Sequence, residues 1–329
     1  MRYGNDPRFK FLVSRAIYKG ILRYLSSQYN VDYTVQPLPV EGFSVEFVDA
    51  NSPDVVLRWQ AVKDELEPSA DPDYYIVYTR KDDGGFDNGQ KVNGTSLKLK
   101  QELGHRYSYK VTAVNKGGES FPSEILSSCK ARNERGRVLI VNGFDRVSAP
   151  ISFQGDSIAG FYNNLDSGVG YLEDISFIGE QRNFDRRESR TENDNYALGS
   201  SYSDYESEVV AGNSFDYPAL HGKSVVEAGF SFCSASVKSV EQGGVKLEKY
   251  PITDFIFGKQ RSCQIGRGAC DVDFEVFSEE LQDKIRAYTE QGGAVFASGC
   301  YVASDLWHGV EADGEDRGFA RSVLHYSFG

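Results

Sequence analysis

The chain has few of the residues that bind metals and cofactors. It contains four histidines in 329 residues, and it has neither a CxxC pair nor an HExxH motif, so we expect no metal site. Gly143 follows an apolar run but does not open the glycine spacing of a dinucleotide fingerprint, and "FGKQRS" lacks the upstream glycine of a phosphate loop. We therefore expect no cofactor.

Positive charge and long apolar runs are also scarce. The chain has 36 Lys and Arg against 48 Asp and Glu, a net charge of −12, so its surface should repel phosphate backbones and nucleic acid is not an expected partner. The apolar runs have the length of strands, which is too short for a membrane span. No basic-then-apolar leader opens the chain, so we expect any export signal to lie outside it.

The cysteine count is low and odd, which excludes a fully paired set of disulfides within the chain. Cys263 and Cys270 flank "QIGRGA", whose glycines would let the chain fold back into a disulfide-closed loop in an oxidising compartment. Whether these two residues pair stays open.

Apolar residues at helical spacing occur near the start of the chain. Residues 1–30 predict one amphipathic helix, and the prolines of residues 31–41 predict an extended linker. A lone helix cannot bury its apolar face by itself, so we expect it to dock on the later domains, on another copy, or on a domain that is absent from this chain. The apolar face consists of Phe11, Ile17, Ile21, Leu22 and Leu25.

Alternating apolar and polar residues predict a series of strands over residues 42–132, as in "FSVEFVDA" and "VVLRWQAV". Their spacing predicts a β-sandwich. The end of this segment, "LGHRYSYKVTAVNKGGESFPSE", resembles a fibronectin type III domain: Leu103 precedes Tyr107, which matches the tyrosine-corner position of that family, and Trp59 matches its core tryptophan. The resemblance implies an immunoglobulin-like sandwich in which Trp59 and Tyr107 are structural residues.

Residues 136–329 predict an α/β domain. The apolar runs in "GRVLIVNG", "ITDFIFGKQ" and "GGAVFASG" are typical of buried parallel strands. Ser278 and Gly292 are the predicted caps of a helix between the last two runs, which gives a strand–helix–strand unit. We predict a three-layer domain with a mostly parallel sheet and a polar insertion at about 179–216.

Ligands of open α/β sheets bind at the carboxyl ends of the parallel strands. The residues that follow the predicted strands therefore form a candidate site with an acid, a base and a nucleophile. Its members are Asn142, Asp145, Lys259, Gln260, Ser298, Cys300, Ser304 and Asp305.

The turn around Cys300 resembles the nucleophile turn of class I glutamine amidotransferase-like domains, which have a flavodoxin-like or Rossmann-like sheet. That family has a Gly-x-Cys-x-Gly turn between a strand and a helix, and here residues 299–303 read "GCYVA". The family also supplies a histidine followed two residues later by an acid, and no such pair follows Cys300. His308 is the candidate base. Cys300 is therefore either a nucleophile or a small buried residue at a tight turn.

The order of segments resembles bacterial multidomain envelope proteins described as xanthan lyases or N-acetylmuramoyl-L-alanine amidases. In those proteins a zinc-dependent amidase domain precedes a fibronectin type III module. The segment "DPRFKFLVSRAIYKGILRYLSSQY" resembles the closing helix of that amidase domain. The zinc ligands of that domain belong to sequence that is absent here, so the resemblance assigns no amidase activity to this chain. It implies an exported protein of the periplasm, cell surface or extracellular space.

Three functional hypotheses follow. The first is a non-catalytic accessory region whose sandwich is a spacer and whose α/β domain binds peptidoglycan, a polysaccharide or an adjacent enzyme domain. The second is a cysteine-dependent hydrolase or amidase with Cys300 as nucleophile and His308, or a residue of the insertion, as base. The third is a glycan-binding module that uses tyrosines of the insertion, namely Tyr196, Tyr202 and Tyr205. Enzymatic activity of the chain stays an open question.

Overall fold

The first element of the fold docks on the sandwich through its basic side. The computed structural model describes residues 7–143, 216–258, 260, 262–264, 272–299, 301–309 and 311–327, and five short strands between 144 and 215. Helix α1 (Pro7–Tyr29) is present as predicted. Its apolar side chains Ile17 and Ile21 are 59% and 54% exposed, whereas Arg15 is buried. The basic side of α1 lies against the sandwich, so the apolar face does not dock on the described later domains, and the other two predicted alternatives, another copy or an absent domain, stay open.

The sandwich that follows α1 contains eight strands. One sheet contains β1, β2 and β5, and the other has the order β4-β3-β6-β7, with β8 paired to β6. Apolar side chains from both sheets alternate inward and meet in one core that contains Phe43, Leu57, Trp59, Tyr109 and Val111. The strands are β1 (Glu41–Phe47), β2 (Val55–Gln60), β3 (Tyr74–Lys81), β4 (Gln90–Val92), β5 (Ser96–Leu99), β6 (Tyr107–Asn115), β7 (Gly118–Glu119) and β8 (Leu126–Ser128).

The rest of the described chain alternates strands and helices. After β9 (Arg137–Asn142) come β10 (Ser152–Gln154), β11 (Ile158–Phe161), β12 (Glu180–Gln181), β13 (Phe184–Asp185) and β14 (Ser201–Tyr202). Then follow α2 (Tyr217–Glu227), β15 (Ser231–Ser236), α3 (Val237–Glu241), β16 (Ile252–Gly258), β17 (Cys263–Gln264), β18 (Val272–Asp273) and α4 (Glu279–Glu290). The last elements are β19 (Ala294–Gly299), α5 (Val302–His308) and α6 (Gly314–Ser322).

Strands β9, β15, β16 and β19 pair in parallel, in the order β15-β9-β16-β19. One face of these strands carries Ile140 and Phe232, which pack with the α2 residues Val225 and Val226. The other face carries Leu139, which lies in one apolar cluster with residues of α4, α5 and α6. Helices therefore cover both faces of this part of the sheet.

The sandwich and the α/β part share one sheet. Strand β1 pairs antiparallel with β15, with Ser44 opposite Ala235 and Val45 opposite Ser234, so that a mixed seven-stranded sheet runs β19-β16-β9-β15-β1-β2-β5. The hydroxyl of Ser234 also accepts from Ser127 N and donates to Ser127 O, both at 2.7 Å. The junction is thus a hydrogen-bonded sheet, and the two parts contact each other through backbone as well as side chains.

Candidate functional site

The parallel strands end along one edge of the sheet, where the sequence predicts the site. Asn142, Gly258 and Gly299 are the last residues of β9, β16 and β19, and Asn142 pairs with Ile256, which pairs with Ser298. The predicted members Asp145, Lys259 and Cys300 lie outside the described residues. The structure therefore brings together Asn142 and Ser298, and it does not describe the predicted nucleophile.

The described rim residues differ in their surroundings. Asn142 is 8% exposed, and its Oδ1 is buried without a hydrogen-bond partner in the described part of the chain. Gln260 is also buried, and its N–H donates to Phe257 O at 2.7 Å. Ser298 and Ser304 are half-buried, and Ser304 Oγ donates to Tyr301 O at 3.4 Å. Of these residues, Asn142 has the clearest unmet hydrogen-bonding capacity.

Asp305 holds neighbouring segments in place. Its Oδ1 accepts from Ser262 N at 3.0 Å and from Ser262 Oγ at 2.6 Å, and its Oδ2 accepts from Val276 N at 3.2 Å. Both carboxylate oxygens therefore have structural donors, and a role in proton transfer would require breaking these bonds.

His308 lies at the far end of α5. It is exposed and is the last residue of a helix that begins at Val302, so it lies about 9 Å along the helix axis from the first residue, at 1.5 Å per residue. Strand β19 ends at Gly299 and α5 begins at Val302; Cys300 itself lies outside the described residues. The roles of Cys300 and His308 stay predictions.

Sequence analysis missed a histidine–aspartate pair on the α2 side of the same strands. His221 Nδ1 lies 2.7 Å from Asp254 Oδ2. Asp254 is 6% exposed, and its Oδ1 has no partner among the described residues. In the sheet register Asp254 pairs with Ile140 and Phe296, two residues before the row of Asn142 and Ser298 and on the same face of the sheet. The signal was available in the sequence, because Asp254 is a charged residue within the apolar run "ITDFIFG".

A buried carboxylate that holds one imidazole nitrogen fixes the orientation of the ring. If Nδ1–H donates to Asp254, the other nitrogen of His221 is left as an acceptor. The side chain of His221 is 27% exposed, and Phe296, on the neighbouring strand of the same face, is 59% exposed. The free nitrogen of His221 can therefore accept a hydrogen bond from a ligand that also contacts the exposed ring of Phe296.

A second feature is an acidic cleft between α4 and α6. It has a volume of about 910 Å³ and is lined by eight carboxylate side chains and one arginine, Arg286. Desolvation, together with the negative charges of Glu311, Asp305 and Asp316, raises the pKa of Glu275 to about 7. In the described part of the chain, no group of three or more His, Cys, Asp or Glu residues is arranged to hold a metal ion.

The two residues predicted as structural both lie in the sandwich. Trp59 is 3% exposed and makes an edge contact with Tyr75, with ring centroids 5.5 Å apart. The hydroxyl of Tyr107 donates to Glu102 Oε1 at 3.3 Å. The fully buried hydroxyl of Tyr109 accepts from Gln101 Nε2 at 2.6 Å, and burial raises the pKa of this phenol.

Comparison with known proteins identifies the sandwich. The family model of the fibronectin type III domain matches residues 38–128, so this segment is a fibronectin type III domain, and the predicted fibronectin type III sandwich is confirmed. Among solved structures, the chain is similar to one titled FN3tt mut, with 23% identity over 29% of this chain and 98% of that chain and a TM-score of 0.25.

Other similar structures are a human fibronectin type III domain and the twitchin kinase region of C. elegans. The human domain is 19% identical over 31% of this chain and 84% of its own, with a TM-score of 0.27. The twitchin region is 22% identical over 30% of this chain and 18% of its own, with a TM-score of 0.26. No curated protein matches the chain. No helix in the described residues is long and apolar enough to span a membrane.

Proposed function

We propose that this chain is a non-catalytic accessory region of an exported bacterial cell-envelope or polysaccharide-processing protein, whose α/β part binds a ligand at the edge of the sheet. A fibronectin type III domain indicates a spacer or binding module. The mixed seven-stranded sheet supports a spacer of fixed geometry, because β1 of the sandwich is hydrogen-bonded to β15 of the α/β part.

The proposed architecture of the second part is a three-layer, amidotransferase-like domain. In chain order the parallel strands are the first (β9), second (β15), third (β16) and fourth (β19), and their order in space is therefore 2-1-3-4. This order matches the first four positions of the flavodoxin-like order 2-1-3-4-5, in which ligands bind at the strand ends beside the switch point between strands 1 and 3. Here that point lies between β9 and β16.

The observation that carries the proposal is the buried polar pair beside this switch point. Asp254 lies on β16 and Asn142 on β9, and each has an oxygen that is buried and has no partner among the described residues. Unpaired buried acceptors cost about 1–3 kcal/mol each, and proteins tend to keep them where ligands or ordered waters donate to them. With His221 and the exposed ring of Phe296, they suit a hydroxyl-rich ligand such as a polysaccharide.

Sedimentation with insoluble peptidoglycan tests this proposal. We expect the protein to pellet with peptidoglycan, and His221→Ala to weaken binding about tenfold, which is ~1.4 kcal/mol. His105→Ala is the matched control, because His105 Nδ1 lies 2.7 Å from Asp82 Oδ2 in a similar pair on the sandwich. Failure of the unaltered protein to bind peptidoglycan or cellulose would contradict the proposal, as would equal losses in both variants.

A cysteine-dependent hydrolase or amidase is the second candidate function. It is supported by the chain order of β19, which ends at Gly299, and α5, which begins at Val302, because nucleophilic cysteines are commonly found where a strand is followed by a helix N-terminus. A thiol-reactive probe at pH 5.5 tests it, with Cys300→Ser as the control. Labelling that Cys300→Ser abolishes would favour this candidate, whereas labelling that is absent, or that persists in Cys300→Ser, would leave the accessory role.

A further inference from the structure

Exposed apolar side chains of the described chain are concentrated on one short segment. Of the 13 large hydrophobic residues that are exposed, eight lie between residues 12 and 31. Helix packing normally buries such residues, and contiguous apolar patches on a protein surface mark interaction sites. Leu12 lies half a turn away from Ile21 around the helix, and we call the other seven the α1 stripe; they are Val13, Ile17, Ile21, Tyr24, Leu25, Tyr29 and Val31.

The opposite side of α1 is already occupied by the sandwich. Arg15 Nε donates to Asp64 Oδ2 at 2.9 Å, Lys19 Nζ lies 3.4 Å from the same oxygen, and Tyr18 OH accepts from Gln36 N at 3.4 Å. These contacts fix the rotation of the helix, so the α1 stripe cannot turn inward without breaking a half-buried charge pair. The stripe is therefore left uncovered by the part of the chain that the structure describes.

We propose that the α1 stripe is the contact surface of a homodimer in which the α1 helices of two copies pack antiparallel about a twofold axis. With the axis midway between Ile17 and Ile21, one residue from Gly20, Ile17 lies opposite Ile21 of the other copy and Val13 lies opposite Leu25. An antiparallel pair therefore sets apolar residues against apolar residues, as a self-complementary twofold interface requires.

The area and charge of the stripe suit such a pairing. Side chains of this size have roughly 150–200 Å² each, and exposed fractions of 40% to 72% leave on the order of 700 Å² exposed on each copy, near the ~800 Å² that each partner buries in a stable interface. Helix α1 has no acidic residue, but Arg15 and Lys19 lie on the opposite side and are paired with Asp64. Dimerisation would therefore not bring these two charges together.

Gly20 permits the close approach of a second helix. A Cβ atom at this position would meet no atom of the chain within 4 Å, so a larger residue here leaves the fold of one copy unaffected. In a helix pair with Gly20 near the crossing point, the same residue would separate the backbones. Gly20→Leu therefore distinguishes packing of two helices from simple stickiness of an apolar surface.

Light scattering after size exclusion tests the proposal on the full chain at 1–100 µM. We expect the unaltered protein to have a mass twice the 36.6 kDa of one chain. The variants Ile21→Glu and Gly20→Leu should be monomeric, each with an unchanged circular dichroism spectrum. Leu220→Glu is the matched control, because Leu220 is 60% exposed on α2, and it should stay dimeric. A monomeric protein at 100 µM, dimeric Ile21→Glu, or equal behaviour of Ile21→Glu and Leu220→Glu would overturn the proposal.

Discussion

Glu46 is the charged residue that connects the sandwich to the α/β part most directly. It is 5% exposed, and its carboxylate lies 3.2 Å from Arg58 Nη1, 3.0 Å from Lys249 Nζ and 3.3 Å from the hydroxyl of Tyr250. Arg58 belongs to the sandwich, whereas Lys249 and Tyr250 belong to the α/β part. Removing the charge of a buried carboxylate that accepts from three donors lowers the stability of the fold, because the donors are left without their acceptor.

We expect Glu46→Gln to lower the free energy of unfolding by about 1–3 kcal/mol, measured by urea denaturation. Glu41→Gln is the control, since Glu41 pairs with Lys238 across the same junction but both side chains are more exposed, and exposed pairs contribute about 1 kcal/mol or less. Equal midpoints for the two variants would show that Glu46 does not hold the junction together.

The acidic cleft predicts a pH effect at Glu275. Its pKa in the folded protein is raised to about 7 by desolvation and neighbouring carboxylates, so the folded state holds this proton more tightly than the unfolded state. Stability from this residue is therefore present at low pH and is lost as pH rises from the unfolded pKa of about 4.3 through 7.

We expect Glu275→Gln to be more stable than the unaltered protein at pH 8 and equally stable at pH 4, measured by thermal unfolding. The side chain is exposed, so the gain should be modest. Glu290→Gln, at the other end of α4, should show no such difference between the two pH values. A Glu275→Gln variant that is less stable at pH 8 would contradict the raised pKa.

At the scale of elements, Asp64 determines how α1 sits on the sandwich. Burial of Asp64 opposes a charged carboxylate, but the hydrogen bonds from Arg15 and Leu66 N lower its pKa overall. We expect Asp64→Asn to release α1, so that amide hydrogen exchange over residues 12–29 speeds up severalfold while that of β6 does not change. Glu65→Gln should leave exchange unchanged, because Glu65 is 78% exposed and pairs with the exposed Lys63. Slow exchange of α1 in Asp64→Asn would show that other contacts hold the helix.

Elements that are marked by a short sequence pattern, such as a helix cap or an apolar run, could be predicted from the sequence. The Ser278 cap of α4 is confirmed, since its side chain accepts from Leu281 N, and the apolar runs became the parallel strands β9, β16 and β19. Helix α6 was not predicted, although Asp313 and Asp316 form a capping box at its start. The sequence left the partner of the apolar side of α1 open between three alternatives, and it could not show that the basic side docks on the sandwich, because that contact depends on Asp64, about 50 residues away.

The candidate site was predicted only in part for a similar reason. The register of the parallel strands puts Asn142 and Ser298 in the same row, each opposite Ile256, as the rule for strand ends predicts. The pair of His221 and Asp254 depends on how α2 packs across the sheet, and no short-range pattern encodes that packing. Asp145, Lys259 and Cys300 lie outside the described residues, so their roles stay predictions.

At the scale of the whole molecule, the shared sheet has a consequence for folding. Strand β1 belongs to the sandwich core through Phe43 and Val45 and also pairs with β15, so neither part can lose its edge strand without exposing backbone donors and acceptors of the other. The two parts should therefore unfold together as one cooperative unit. A flexible spacer would instead unfold independently of the domain that it precedes.

The two tryptophans allow a direct measurement of this coupling, because Trp59 lies in the sandwich core and Trp307 lies in α5, 6.5 Å from Tyr326. In a Trp59→Phe background, fluorescence reports only the α/β part. In this background, Val111→Ala removes part of a fully buried side chain of the sandwich core and should lower the free energy of unfolding by about 2 kcal/mol. If the two parts are coupled, the urea midpoint measured by Trp307 fluorescence should fall as much as the midpoint measured by circular dichroism. Lys98→Ala, at an exposed position of β5, should shift neither midpoint. If Val111→Ala leaves the Trp307 transition in place, the shared sheet does not couple the two parts, and the sandwich is an independent spacer.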